Sequence, residues 1–229
     1  MDSEYILNND LPYLMYRLRE AGLTAELDFD QTRRRMLLLL NGSVKWSIHD
    51  LTLKLSGAEP AAHQAMMEPW IPYLMELTRL GQTVLRNPEE LRRRVHTEFV
   101  VDDLATNPRY SYCRRYPGEL KLILSLADEN NRFDLSDEQL DQCPLSIDEL
   151  FHYGQMNTDN VAVDRVEQMG PLTSLTTRSA YISAKAANMP ALISRFQIHA
   201  PHGLFLMAPM CHVLCYSPVD PAHILQQLM

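Results

Sequence analysis

The chain has 229 residues, a formal net charge of −8 and 46% apolar residues. That describes a globular chain with a full hydrophobic core, in one domain or two small ones, and excludes a disordered one. A pI near 5.5 argues against nucleic acid and anionic membranes as general partners, because both reward a basic surface. In chain order, Asp10 can cap a first helix, with Pro12 tolerated in its first turn, Leu11, Leu14, Met15 and Leu18 as its apolar stripe and Gly22 as its stop. Ala25, Leu27 and Phe29 alternate with Thr24, Glu26 and Asp28, which predicts a half-buried strand. The apolar run Met36 to Leu40, the pair Asn41-Gly42, and the alternation of Val44, Trp46 and Ile48 predict a hairpin. Asn-Gly accepts the two positive φ angles of a tight hairpin turn. The N-terminal part is therefore a helix followed by an antiparallel three-stranded meander.

Residues 50 to 81 are predicted helical in two pieces, broken at Gly57 and Pro60 and restarted at Pro69. Trp70, Leu74 and Leu77 share one face of the second piece, and Gly81 can end it. Asn87-Pro88-Glu89-Glu90 is a strong helix start, with cations Arg92 to Arg94 late in the helix where they suit its dipole. The stretch 82–88 is the best candidate boundary. It divides an N-terminal helix/β-meander/helix subdomain, 1–86, from a C-terminal mixed α/β subdomain, 87–229, unless the two close into one compact domain. The fold class is α+β.

In the second part, Phe99-Val100-Val101 predicts a short strand. Tyr110 to Tyr116, Pro117-Gly118 and Glu119 to Ala127 resemble a hairpin, with Leu120, Leu122, Leu124 and Leu126 in strict alternation before a polar loop, Asp128 to Asn131. Ser136 with Gln139, and Ser146 with Glu149, fit the capping box. Ile147, Leu150, Phe151 and Gly154 follow helical spacing. Short strands are expected near 173–184 and 203–216, a helix near 189–196 and a final helix from Pro221.

The sharpest enzyme-like pattern is Tyr181-Ile182-Ser183-Ala184-Lys185. On an α-helix a lysine four residues after a tyrosine lowers the phenol's pKa for proton transfer, the device of short-chain dehydrogenases. It suggests an oxidoreductase using Tyr181 and Lys185 with a nicotinamide cofactor. The glycine-rich cofactor fingerprint that should accompany it is missing, and Gln168 stands where the family's serine would fall. The plainer reading is a solvent-facing lysine beside a buried tyrosine.

Cys211 and Cys215, with His199, His202 and His212, invite a metal reading. On a strand the two thiols stand about 13 Å apart at ~3.3 Å per residue, too far for one ion. Asp28 with Asp30, Asp102 with Asp103, and Asp128 with Glu129 are paired acids. Asp102 and Asp103 follow a predicted strand and could serve a metal-assisted hydrolase, although such acids are more often loop and capping residues. Arg33 to Arg35 and Arg92 to Arg94 lack the interleaved aromatics of a nucleic-acid platform and suit solvated edges. No nucleophile elbow, phosphate loop or His-Glu-x-x-His motif occurs. Met66, Met67, Trp70, Tyr73 and Met75 form the most interface-like cluster, because methionine and aromatic side chains adapt to and anchor partner surfaces. The same spacing also fits an ordinary core stripe.

Ala25 to Ile48, Glu119 to Asn160 and Leu172 to Tyr216 resemble the uncharacterised bacterial YtpQ-like domain family in hydrophobic pattern and order of elements. The likeness rests on the strand, Asp128 and capped-helix run, on Leu145 to Asn160, and on the paired late strands with Pro209. It covers about two-thirds of the chain and departs around Tyr181 and Cys211 to Cys215. It implies an α+β fold and a bacterial cytosolic setting, and transfers no catalytic residue.

The N-terminus lacks a secretory pattern, no apolar run reaches a membrane span, and Cys113, Cys143, Cys211 and Cys215 form no compact framework. The expectation is a non-catalytic cytoplasmic protein that binds another protein, as an adaptor, chaperone or immunity-type neutraliser. Met66, Met67, Trp70 and Tyr73 are its candidate surface. No cofactor, metal, nucleic acid or membrane partner is expected, and a homo-oligomer is left open.

Overall fold

Contacts divide the chain into two units, Met1–Glu90 with Ser136–Pro144, and Leu91–Leu135 with Leu145–Met229. The computed structural model describes residues 5–30, 35–42, 44–101, 110–117, 120–127 and 132–222. Asp102, Asp103, Arg33, Arg34, Gly118, Glu119, the Asp128 to Asn131 loop and the body of the expected final helix lie outside the described residues.

In the first unit a π-helical turn, Ile6–Asp10, runs into helix α1, Leu11–Glu20. Leu11, Leu14 and Leu18 are buried along one stripe. Asp10 makes no capping bond, because it already sits in helical backbone. Strands β1 (Ala25–Asp30), β2 (Arg35–Leu40) and β3 (Val44–Ser47) form the expected antiparallel meander, in the order β1-β2-β3. Asn41 and Gly42 take φ angles of 47° and 61° at its hairpin turn. Helices α2 (His49–Ser56), α3 (His63–Met67) and α4 (Trp70–Thr83) follow. Gly81 lies inside α4 and does not end it. A Cβ at Gly81 would stand 2.4 Å from Val44 Cγ2, so the missing side chain lets the helix close onto β3. Helix α5, Pro88–Arg94, is capped as expected, with Asn87 Oδ1 accepting from the backbone N–H groups of Glu89 at 3.0 Å and Glu90 at 3.4 Å.

The second unit opens with β4, Val95–Val101, longer than the three residues expected. Strands β5 (Arg114–Tyr116), β6 (Leu120–Ala127) and β7 (Arg132–Asp134) complete its first sheet. β6 is central, pairing β4 on one side and β5 and β7 on the other. The chain then contributes α6, Asp137–Leu140, to the first unit, where Gln139 Nε2 donates to the Lys45 carbonyl at 2.7 Å. It returns through α7, Ile147–Asn160. Both expected capping boxes are present, at Ser136/Gln139 and Ser146/Glu149. α7 lies against β4, with the Thr97 N–H donating to Thr158 Oγ1 at 3.0 Å.

Strands β8 (Arg165–Met169) and β9 (Leu172–Thr176) form a hairpin whose first arm the hydrophobic pattern does not announce. After Thr176 the chain leaves the sheet, and Ile182–Ala187 is a 3₁₀ helix where strand was expected. Helix α8 (Met189–Phe196) and strands β10 (Leu204–Met210) and β11 (Val213–Pro218) close a second sheet of order β10-β11-β9-β8. Leu175, Ile182, Leu192, Ile198, Leu214 and Tyr216 form its core cluster. Among the described residues no helix is long and apolar enough to cross a membrane.

Candidate functional site

The Met/Trp cluster is largely internal to the first unit. Met67 is fully buried, while Met66, Trp70 and Tyr73 are half-buried and Met75 is exposed. Trp70 packs 5.2 Å from Trp46 and 5.7 Å from Tyr73, ring centre to ring centre, with the Lys54 ammonium 4.8 Å over its face. Trp70 on α4 thus packs against Trp46 of β3 and Met67 is core, while Met66, Trp70 and Tyr73 keep part of their surface exposed. Beside them, His63 Nδ1 lies 2.7 Å from Asp10 Oδ2 and Nε2 3.3 Å from the Ala58 carbonyl, with both His63 and Asp10 buried. Burial lowers the pKa of His63, but the Asp10 bond and the Ala58 carbonyl outweigh it and the net shift is upward. Both contacts are to oxygen acceptors, so they favour the protonated form of His63 beside Asp10.

Tyr181 and Lys185 are both buried, so Lys185 does not face solvent. They serve separate groups. Lys185 Nζ donates to the carbonyls of Thr158 at 2.9 Å and Asp159 at 2.6 Å, closing the C-terminal end of α7. Arg195 also donates to the Asp159 carbonyl, and Asn188 Nδ2 to the Asp159 carboxylate at 2.6 Å. Burial, then the Arg195 charge, bring the Lys185 pKa down to about 8. Burial pushes the Tyr181 phenol the other way, up to about 12. A lysine that activated this tyrosine would lower it, so the geometry does not assemble the dehydrogenase pair.

Tyr181 belongs to a buried polar cluster that no motif announces. His96, Ser125 and Asp134 stand directly opposite one another across β4, β6 and β7. Glu98, next on the same face of β4, meets Arg132 through Oε1 at 2.7 Å. Tyr181 stacks on His96 with ring centres 4.3 Å apart and planes 16° from parallel. Glu98, Ser125 and Tyr181 are all buried, yet Glu98 Oε2, Ser125 Oγ and Tyr181 Oη have no hydrogen-bond partner among the described residues. Ser125 still lies near enough to favour ionisation of both neighbours. Burial first, then the Asp134 charge, raise the Glu98 carboxyl from 4.5 to about 8, against the pull of Arg132. Desolvation also lowers the His96 pKa, outweighing the Nδ1 hydrogen bond that it donates to the Arg94 carbonyl at 2.9 Å. The cluster thus favours a proton on the Glu98 carboxyl, which is itself 2% exposed. Its one legible signal is Ser125, which interrupts the run Leu122-Ile123-Leu124 before Leu126.

The late thiols do not converge. Cys211 lies in the β10–β11 turn, and Cys215 is buried opposite Met207 and Ser174. His199, His202 and His212 are exposed. No group of three metal-ligating side chains gathers among the described residues.

The remaining feature is an edge. β1 is the terminal strand of its sheet, and no described strand pairs with its outer side. Leu27 is 47% and Phe29 50% exposed, which corrects the half-buried expectation. Asn41 N–H donates to the Thr24 carbonyl at 2.9 Å, and Ile48 N–H to the Met36 carbonyl at 3.4 Å. Antiparallel alternation then directs Glu26 and Asp28 backbone groups toward β2 and those of Ala25, Leu27 and Phe29 outward. Consistently, the Phe29 N–H is satisfied by the Asp28 carboxylate at 2.8 Å and not by a strand. No family model, no curated protein and no solved structure matches this chain.

Proposed function

We propose that the chain is a non-catalytic binding protein that receives another protein along the outer edge of β1. The observation that carries this reading is an outward-facing backbone that no described strand pairs, combined with half-exposed Leu27 and Phe29 on one strand. Strand addition uses such an edge, main-chain bonds giving affinity and alternate side chains giving selectivity. An adaptor, chaperone or neutraliser could use it alike, and the partly exposed Met66, Trp70 and Tyr73 lie in the same unit. The four free cysteines support a cytoplasmic setting, and the YtpQ-like resemblance supports a bacterial one.

A photoreactive side chain placed at Phe29, in cells of the native host, tests the reading. The expected result is a discrete protein adduct from position 29 and none from the equally exposed Ile147 on α7. Equal labelling from both positions, or none from 29, refutes it.

A further inference from the structure

Resting on that reading of the β1 edge, we infer that its partner presents an extended segment in which basic and apolar side chains alternate. The strand reads Ala-Glu-Leu-Asp-Phe-Asp from Ala25 to Asp30. Successive side chains of a strand point to opposite faces, so one face of β1 is apolar and the other acidic. An incoming strand places its own side chains directly opposite those of β1 on the same faces. It must therefore offer apolar groups to Leu27 and Phe29, and cations to Glu26 and Asp28. Lys45 Nζ approaches Asp28 at 3.9 Å with both side chains about half exposed, a loose contact that an incoming cation can share.

A second copy of this chain is a poor occupant. Antiparallel self-pairing that keeps apolar residues together, centred on Leu27, sets Glu26 against Asp28. A shift of one residue sets Leu27 against Asp28. Parallel pairing in register puts every acid beside its copy. Like charges directly opposite are destabilising, and so is an apolar side chain against a carboxylate. The alternation that disfavours the copy selects a strand of complementary charge.

Three six-residue peptides give the test with the full-length protein: one alternating lysine with valine, one with glutamine in place of lysine, and one with lysines and valines in separate blocks. Binding is read by anisotropy, and its location by amide exchange at Leu27 and Phe29. The alternating basic peptide should bind about tenfold tighter than the glutamine peptide, weaken in high salt, and slow exchange at both amides. The double variant Glu26→Lys, Asp28→Lys should invert the preference toward an alternating glutamate peptide. Glu26 is exposed and Asp28 about half exposed, and retained folding of the double variant is verified by circular dichroism. Equal protection of β1 by the glutamine peptide overturns the charge inference and leaves the edge reading standing. Equal binding of the blocked peptide with β1 protected overturns the alternation alone, and binding without protection at Leu27 and Phe29 overturns both. Self-association abolished by Phe29→Asp would instead assign the edge to a second copy.

Discussion

Replacing Glu98 by glutamine tests the buried cluster at its most unusual point. The carboxyl is displaced from 4.5 to about 8, chiefly by burial. Its folded-state pKa is therefore raised, and the folded protein holds a proton that the unfolded chain releases. The stability this group contributes is complete below about 4.5 and is lost as pH rises toward about 8. Each pH unit inside that window costs a little over 1 kcal/mol, and the whole window about 5 kcal/mol at most. Glutamine keeps the shape and an acceptor for Arg132 but cannot ionise. The two proteins should thus match near pH 5 and diverge steadily, the Glu98→Gln variant becoming the more stable by about 3–4 kcal/mol at pH 8. Trp46 and Trp70 report on the first unit, so exchange at the amides of Leu124 and Ser125, in the strand beside Glu98, is the suitable measurement. Comparing both proteins at each pH cancels the intrinsic exchange rate and the titration of groups outside the cluster. Asp134→Asn should move the window downward, because the Asp134 charge is the second cause of the displacement. Parallel stability profiles for wild type and Glu98→Gln would show a carboxylate ionised in a water-like setting, and would refute the buried arrangement of Glu98, Ser125 and Tyr181.

The His63–Asp10 pair should behave in the same direction for a different reason. The raised folded pKa of His63 means that its contribution is present below about 6.5 and lost as pH rises through the folded value. His63→Gln should flatten the pH dependence of tryptophan-monitored unfolding in that range, and an unchanged profile would count against a charged pair. Gly81→Ala should destabilise the first unit by about 1–3 kcal/mol through the clash with Val44, and Val44→Ala should relieve part of it in the double variant. Additive losses in that urea-unfolding cycle would deny the close approach. Lys185→Met leaves the Thr158 and Asp159 carbonyls without their donor and should cost about 1–3 kcal/mol in denaturant unfolding. A neutral effect would mean that water already reaches the end of α7.

What was legible in the sequence was mostly local backbone chemistry. Asn41-Gly42, Asn87, Ser136/Gln139 and Ser146/Glu149 each state a φ angle or a capping bond that a few neighbouring residues decide, and each appears in place. The Tyr181 to Lys185 spacing misled because it carries chemistry only on an α-helix. On a 3₁₀ helix three residues complete a turn, so side chains four apart point about 120° away from each other. Tyr181 accordingly turns toward Ser125, and Lys185 toward the end of α7. The Glu98 cluster was hidden for another reason. Its members come from β4, β6, β7 and the segment before the 3₁₀ helix, and strand register alone brings them to one face.

The exposure of β1 marks the limit of pattern reading and also the strongest functional lead. Alternation at Ala25, Leu27 and Phe29 says which side chains share a face, and nothing about whether anything covers that face. Acids on an edge strand are a common guard against unwanted pairing. A guard alone would be more complete with polar side chains on both faces, since Leu27 and Phe29 at about half exposure invite the association that Glu26 and Asp28 resist. The two faces reconcile if the edge is closed to copies of itself and open to a strand of opposite charge. On that view the acids set the identity of the partner, and the apolar pair supplies the area that holds it.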